Sequence, residues 1–415
     1  MTDAPVTSGA AEPSSAQKPL AGRKILIIVE NLPVPFDRRV WQESLALVAA
    51  GAEVSVICPK GKGYEAEEED LEGVHIHRHA LPAEGDSAGG YLREYGSALF
   101  HETRLAWKVL SARGFDVIHG CNPPDLIFLV ALPFKAIGKR FVFDHHDINP
   151  ELYEAKFDKR GFFWRLLVLF ERMTFVFADV VISTNESYRR IAVERGGKAP
   201  DRVFVVRSGP DLRRVKTAPA DPRWRKGRRY LVGFVGVIGD QEGIDLLLAA
   251  VKHLVFEMGR KDIQFVLVGD GPSRKRMEAL SVEMGLAGTV TFLGRAPDAE
   301  LFSVLSSADV CVNPDRVNPM NTLSTMNKIL EYMAMKKPIV QFDVVEGRVS
   351  AGEASLYAKP NDPVDFAEKI VELLADPERS ARMGEIGRAR IEDELSWSRQ
   401  VPKLLKAYET LFAPR

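Results

Sequence analysis

Several kinds of chemistry are poorly represented in this chain. Its three cysteines, Cys58, Cys121 and Cys311, lie far apart without CxxC spacing. That argues against a disulfide framework and against structural zinc, and it fits a reducing cytosol. No run reaches the ~18–20 apolar residues of a membrane span. Neither sign of charge dominates, because 56 basic residues meet 57 acidic ones, so nothing global favours nucleic acid. Residues 1–22 are rich in Ala, Pro and Ser and carry no apolar h-region. They read as a disordered tail, not as a signal peptide. No convincing pair of catalytic carboxylates stands out either.

What the chain does have is a strand–helix alternation, given twice. A length of 415 residues is more than one core holds, so two or three domains are expected. Lys24 to Val29 is a continuous apolar run, the mark of a strand buried on both faces. A loop over 30–36 and a helix over 37–48 follow, with Asp37 as N-cap and Gly51 as stop. Further strands are expected at 52–58, 74–79, 116–119, 141–143, 180–183 and 203–206, with helices at 91–112, 124–137 and 161–178 between them. Polar, Pro-rich residues 208–229 read as a linker or an irregular crossing. A second series starts at Tyr230, with strands at 231–236, 264–268, 290–293, 310–312, 338–342 and 355–358. The fold class is α/β: two Rossmann-like, doubly wound domains, 23–207 and 230–395, facing a cleft lined by strand C-termini.

The stretch from Asn313 to Asp343 is the most informative. It reads as a strand end, a Pro/Asn-rich loop, a helix over 324–335 and a second strand. At 100° per residue, Ser324, Lys328 and Glu331 share one stripe with Asn327 beside it, while Met326, Ile329, Leu330 and Met333 share the other. The polar stripe runs over ~10 Å at the helical rise. An amide-rich helix start followed by an ammonium and then a carboxylate suits a nucleoside diphosphate, with phosphates near Lys328 and the ribose diol on Glu331. An exposed Lys–Glu pair worth ~0.2–0.5 kcal/mol is the plain alternative.

The segments GVIGDQEGIDLLLAAV, VGDGPSRKRMEAL, VTFLG, KILEYMAMKKPIV and SAGEASLYAKPNDPVDFAEKI resemble, in order and spacing, the retaining family 4 glycosyltransferases. ENLPVPFDRRVWQESLALVAAGAEVSVICPKG and FDHHDINPELY are similar to a bacterial surface-polysaccharide branch of that family. The resemblance covers roughly Arg23 to Leu411. It implies the GT-B architecture: an acceptor domain over 23–207, a nucleotide-sugar domain over 230–395, and a terminal helix over 396–415 packing back on the first domain. It also implies sugar transfer from a nucleotide donor without a metal or other cofactor.

Under the resemblance, Glu331 matches the ribose-binding carboxylate, and His146 the residue that meets the donor sugar. Leu323 stands where a first Glu is usual, so backbone amides around Met320 to Ser324 are expected to take over that contact. A basic pair is usual at the Gly-rich loop, but Val237 and Glu242 stand there instead. Lys328 and the amides of the Ser324 helix, with Arg38 or Arg39 from across the cleft, are expected to carry the phosphate charge. Gly239 allows close backbone approach, Arg295 flanks the base, and Asn321, Thr325 and Asn327 complete the expected donor contacts. Lys336 replaces a usual Gly, which strains a left-handed helix cap by ~1 kcal/mol.

The catalytic residues expected are His146, Lys328 and Glu331; Asp37, Arg38, Arg39, His145 and Asp147 are assigned to the acceptor side or cleft. His145 is either a cleft residue or a buried structural one, and Asp147 either a cleft residue or an N-cap. The expected partners are a UDP- or GDP-sugar and a polyprenyl-linked or glycan acceptor, with no nucleic acid. Residues 156–177 mix Lys156, Lys159, Arg160 and Arg165 with Phe162, Phe163 and Trp164. This helix either packs on its own sheet or lies on an anionic bilayer. The location expected is cytoplasmic, with peripheral contact at the inner membrane face. A nucleotide-sugar 2-epimerase and a non-catalytic nucleotide-sugar-binding protein are the alternative functions.

Overall fold

The computed structural model describes residues 18–80 and 88–414. Eight strands build the first sheet: β1 (Lys24–Ile28), β2 (Glu53–Pro59), β3 (Glu68–Leu71), β4 (Val74–His79), β5 (Val117–Cys121), β6 (Arg140–His145), β7 (Val180–Ser183) and β8 (Val203–Val205). Their order is β3-β4-β2-β1-β5-β6-β7-β8. All pairings are parallel except β3 on β4. Six strands build the second: β9 (Tyr230–Val235), β10 (Ile263–Val268), β11 (Val290–Gly294), β12 (Val310–Asn313), β13 (Ile339–Phe342) and β14 (Ser355–Ala358). Their order is β11-β10-β9-β12-β13-β14, parallel throughout.

Alternate residues of each central strand feed opposite faces. Ile25 and Ile27 join one cluster and Leu26 and Ile28 another; Val232 and Phe234 face away from Leu231 and Val235. Helices cover both faces, which is why these strands carry no polar alternation. Asp37 caps its helix as expected, accepting from Val40 N at 3.0 Å.

The helix Trp397–Phe412 lies on the first domain. Its Trp397, Leu404, Ala407, Tyr408 and Leu411 enter the same cluster as β1 and β2. The Tyr408 hydroxyl sits 2.7 Å from His119 Nδ1 of β5. Where this return segment passes the interdomain connection, contact is backbone to backbone. A Cβ on Gly209 would stand 2.0 Å from Leu395 O.

Four sequence expectations are corrected. Residues 1–17 lie outside the described residues, but Leu20 is buried and donates its N–H to Ala50 O at 2.9 Å, so the ordered chain starts before Arg23. Of the two readings of 208–229, the irregular crossing fits and the free linker does not, because Val215 and Trp224 are buried in the core of the second domain. The short acidic strand β3 carries no apolar pattern and was not expected. Lastly, the expected helix over 324–335 is broken. A short turn of helix, Pro319–Leu323, ends at an extended Ser324, and the main helix begins only at Asn327 and runs to Ala334.

Candidate active site

The Asn327–Ala334 helix is fixed from below by Tyr332, which is fully buried. Its hydroxyl accepts from Val235 N at 2.8 Å and lies 3.2 Å from Val312 O, so it ties the helix to the C-terminal ends of β9 and β12. Ile329, Leu330 and Met333 are buried beside it. The opposite stripe therefore presents Lys328 and Glu331 to the space between the domains, while Asn327 is exposed.

Lys328 does not wait free for phosphate. Its Nζ donates to Asp315 Oδ1 at 2.6 Å, over the Phe234 ring. Burial holds the Asp315 carboxyl above its ordinary range, and Lys328 only partly offsets this. The Gly-rich loop is equally occupied, since Gly239 N donates to Glu242 Oε2 at 3.1 Å. Burial raises Glu242 as well. Gly243 sits at φ +60°, and a Cβ there would lie 2.1 Å from Pro314 O, so only glycine lets this loop reach the end of β12.

Glu331, with 14% of its side chain exposed, accepts from Arg38 NH1 at 3.0 Å and from Arg214 NH2 at 3.1 Å. Both guanidiniums also reach Asp298, at 3.4 Å and 2.8 Å. Arg38 opens the first helix of the first domain, so this is a bridge across the cleft. Arg214 was missed by sequence reasoning: it lies in a polar connection with no periodicity to flag it. Arg295 is exposed and stacks over Phe36 at 4.4 Å, again spanning the two domains.

The segment around Ser324 is committed to the first domain, not to a helix start. Asn185 Nδ2 donates to Leu323 O at 2.9 Å and to Thr325 Oγ1 at 3.0 Å. Tyr188 OH bonds Ser324 Oγ at 2.9 Å, and Arg207 NH1 reaches Thr325 Oγ1 at 3.2 Å. The expected amide cradle is also filled internally, because Asn321 N, Thr322 N and Ser324 N bond to Asn318 Oδ1, Asn318 O and Asn321 O. Asn321, 2% exposed, spends its Nδ2 on Gln241 O and Arg316 O.

On the facing domain, His146 follows the end of β6. Asn122 Oδ1 accepts from the backbone N of His146 at 2.9 Å and of Asp147 at 3.0 Å, which fixes this turn. Asp144 Oδ2 lies 3.2 Å from His146 Nδ1. Burial alone would lower the imidazole, but the hydrogen bond and charge of Asp144 win and push it up to about 9. The pairing with Asp144 thus favours the protonated imidazole. Arg39 is corrected from cleft to core. It is 8% exposed and clamps Asp144 at 2.6 Å and 2.8 Å, with Glu43 at 3.1 Å. His145 is fully buried, 3.7 Å from Glu171. Asp147 is not the N-cap; Ile148 holds that position. His119, Cys121 and Asp144 bring ligand-type atoms within 4.8 Å of one another. Asp144 is already held by Arg39 and His146, and Tyr408 engages His119 Nδ1 while Nε2 lies 3.5 Å from Glu43.

Two parallel α/β domains bridged across a cleft by Arg38 and Glu331 have the GT-B architecture. The first domain matches the family model Glycosyltransferase Family 4 over residues 37–214. The second matches Glycosyl transferases group 1 over residues 229–376. Both matches are to glycosyltransferase models, one for each domain. The chain is 33% identical over 173 residues to an alpha-D-kanosaminyltransferase of Streptomyces kanamyceticus, covering 41% of this chain and 43% of that protein. It spans about half the length of the curated relatives it matches. Among solved structures, sucrose-phosphate synthase from Thermosynechococcus elongatus superposes with a TM-score of 0.76 at 21% identity, over 94% of this chain and 99% of that one. The Anabaena protein HepE in complex with UDP-glucose superposes at 0.69 with 16% identity, over 93% and 99%.

Proposed function

We propose that this chain is a retaining glycosyltransferase. It takes a sugar from a UDP- or GDP-linked donor and, without a metal, adds it to a polyprenyl-linked or glycan acceptor during cell-surface polysaccharide biosynthesis. The observation that carries this reading is Glu331: a mostly buried carboxylate on the cleft face of its helix, 3.0 Å from a side chain of the opposite domain. A ribose diol there would place the diphosphate toward Lys328 and the sugar toward His146. The C1–O bond to the β-phosphate breaks, a C1–O bond to the acceptor hydroxyl forms, and the hydroxyl proton passes to the leaving diphosphate. Negative charge grows on the leaving diphosphate, and fixed donors aimed at it lower the barrier. The HepE complex with UDP-glucose supports a nucleotide-sugar donor by similarity of fold.

The acceptor side of the reading draws on the Phe162–Phe177 helix. One face buries Glu171, Thr174 and Phe175, yet Phe162 and Phe163 are 74% and 58% exposed beside exposed Lys159, Arg160 and Arg165. An apolar edge flanked by cations suits the surface of an anionic membrane. No helix among the described residues is long and apolar enough to cross one.

Incubation with a panel of UDP- and GDP-sugars tests the proposal. Slow donor hydrolysis with retained anomeric configuration supports it. A changed sugar would make the protein an epimerase, and binding without turnover a nucleotide-sugar-binding protein.

A further inference from the structure

The diphosphate subsite of the proposed donor is short of positive charge. Val237 and Glu242 stand in its loop, Lys328 is neutralised by Asp315 at 2.6 Å, and Glu242 occupies the Gly239 amide at 3.1 Å. One ammonium against two carboxylates repels a nucleoside diphosphate. The missing charge lies on the other side of Glu331. Arg38 and Arg214 both donate to a single oxygen, Glu331 Oε1, and both rest a second nitrogen on Asp298. They come from different segments, and their side chains are 55% and 31% exposed, so neither is locked by packing.

The Glu331 carboxylate offers two oxygens with about four lone-pair sites, and both guanidiniums draw on the same one, Oε1. A ribose diol that spans both Glu331 oxygens therefore competes with a guanidinium at Oε1. A displaced guanidinium would stand next to the diphosphate that the ribose carries, and a planar fork of N–H donors matches phosphate oxygens.

We propose that Arg38 and Arg214 are the diphosphate-binding cations of this chain, resting on Glu331 and Asp298 and transferring to the diphosphate when the nucleotide binds. The inference rests on the nucleotide-sugar reading of the cleft. Because Arg38 belongs to the first domain, its transfer replaces one bridge across the cleft with another that includes the donor.

The opposite reading makes the pair a latch that keeps nucleotide out, and the two differ in sign. Titration calorimetry of the full chain with UDP, GDP, uridine and guanosine separates them. With whichever nucleotide binds, Arg214→Ala and Arg38→Ala should each weaken the diphosphate about tenfold to a hundredfold, the loss of one charged hydrogen-bonding partner. Binding of the matching nucleoside should stay equal or tighten, since Glu331 is freed. Arg214→Lys should recover part of the loss. Diphosphate binding that is unchanged or tighter in both alanine variants overturns the proposal in favour of a latch. An equal loss for nucleoside and diphosphate overturns it in favour of mere support for Glu331. If the wild-type chain binds neither, the donor reading itself fails. Unchanged circular dichroism and melting of the variants separate these outcomes from misfolding.

Discussion

Asp144 is the residue whose loss should be felt both in stability and in the cleft. It is fully buried, and its two oxygens hold Arg39 at 2.6 Å and 2.8 Å and His146 at 3.2 Å. The His146 imidazole rises from 6.5 to about 9 in the folded chain, against the pull of burial, because of this carboxylate. A histidine whose folded value is raised contributes stability that is complete below about pH 6.5 and is lost as pH climbs through about 9. A rise of about 2.5 units at 1.36 kcal/mol each makes that contribution ~3 kcal/mol. Glu43, raised to about 7 mainly by burial, titrates in the same range. The pH dependence is therefore taken as the difference between wild type and His146→Gln, by urea unfolding at pH 6.5 and pH 9. That difference should shrink by ~3 kcal/mol between the two pH values. In Asp144→Asn the largest upward influence on His146 is gone, leaving burial and Arg39 to lower it and Asp147 to raise it, so the imidazole should titrate well below its wild-type value, read by nitrogen-15 NMR. The same variant leaves the buried Arg39 guanidinium with only Glu43 as charge partner, and should cost ~3–5 kcal/mol at neutral pH. A wild-type His146 that is neutral at pH 7 would refute the reasoning.

Glu331→Ala should reduce affinity for nucleoside and nucleotide alike by ~1–3 kcal/mol in calorimetry; unchanged binding rules out a ribose contact. Lys336, held at φ 56°, should gain ~0.5–1 kcal/mol of stability on change to Gly. Its 2.9 Å pair with Glu385 is half-exposed on both sides and worth little. A chemical-denaturation midpoint that falls in Lys336→Gly argues against backbone strain there. Tyr408→Phe strips the buried His119 Nδ1 of its partner at 2.7 Å. It should cost ~1–3 kcal/mol, and an unmoved unfolding midpoint would mean the terminal helix is not held by this bond. Replacing Phe162 and Phe163 with Ser should abolish sedimentation with anionic vesicles, each ring contributing up to ~2 kcal/mol when buried. Retained sedimentation would place membrane contact elsewhere or nowhere.

Element type and order were legible from the chain alone, because buried parallel strands need uninterrupted apolar runs and covering helices need a 3.6-residue stripe. The runs at 24–29, 231–236 and 264–268, and the Lys328–Glu331 stripe, all follow from those local periodicities. What touches what across the cleft was not legible. Arg38 and Arg39 are neighbours in sequence, yet helical rotation sends one to Glu331 and the other into a buried clamp on Asp144. Arg214 has no periodic context at all. Ser324 looked like part of a helix, but hydrogen bonds from Asn185, Tyr188 and Arg207 hold its segment extended against the other domain. Periodicity acts over a few residues and is written in the chain. Pairing of charges over 100 or more positions depends on how two domains stand against each other, and only the folded structure decides that.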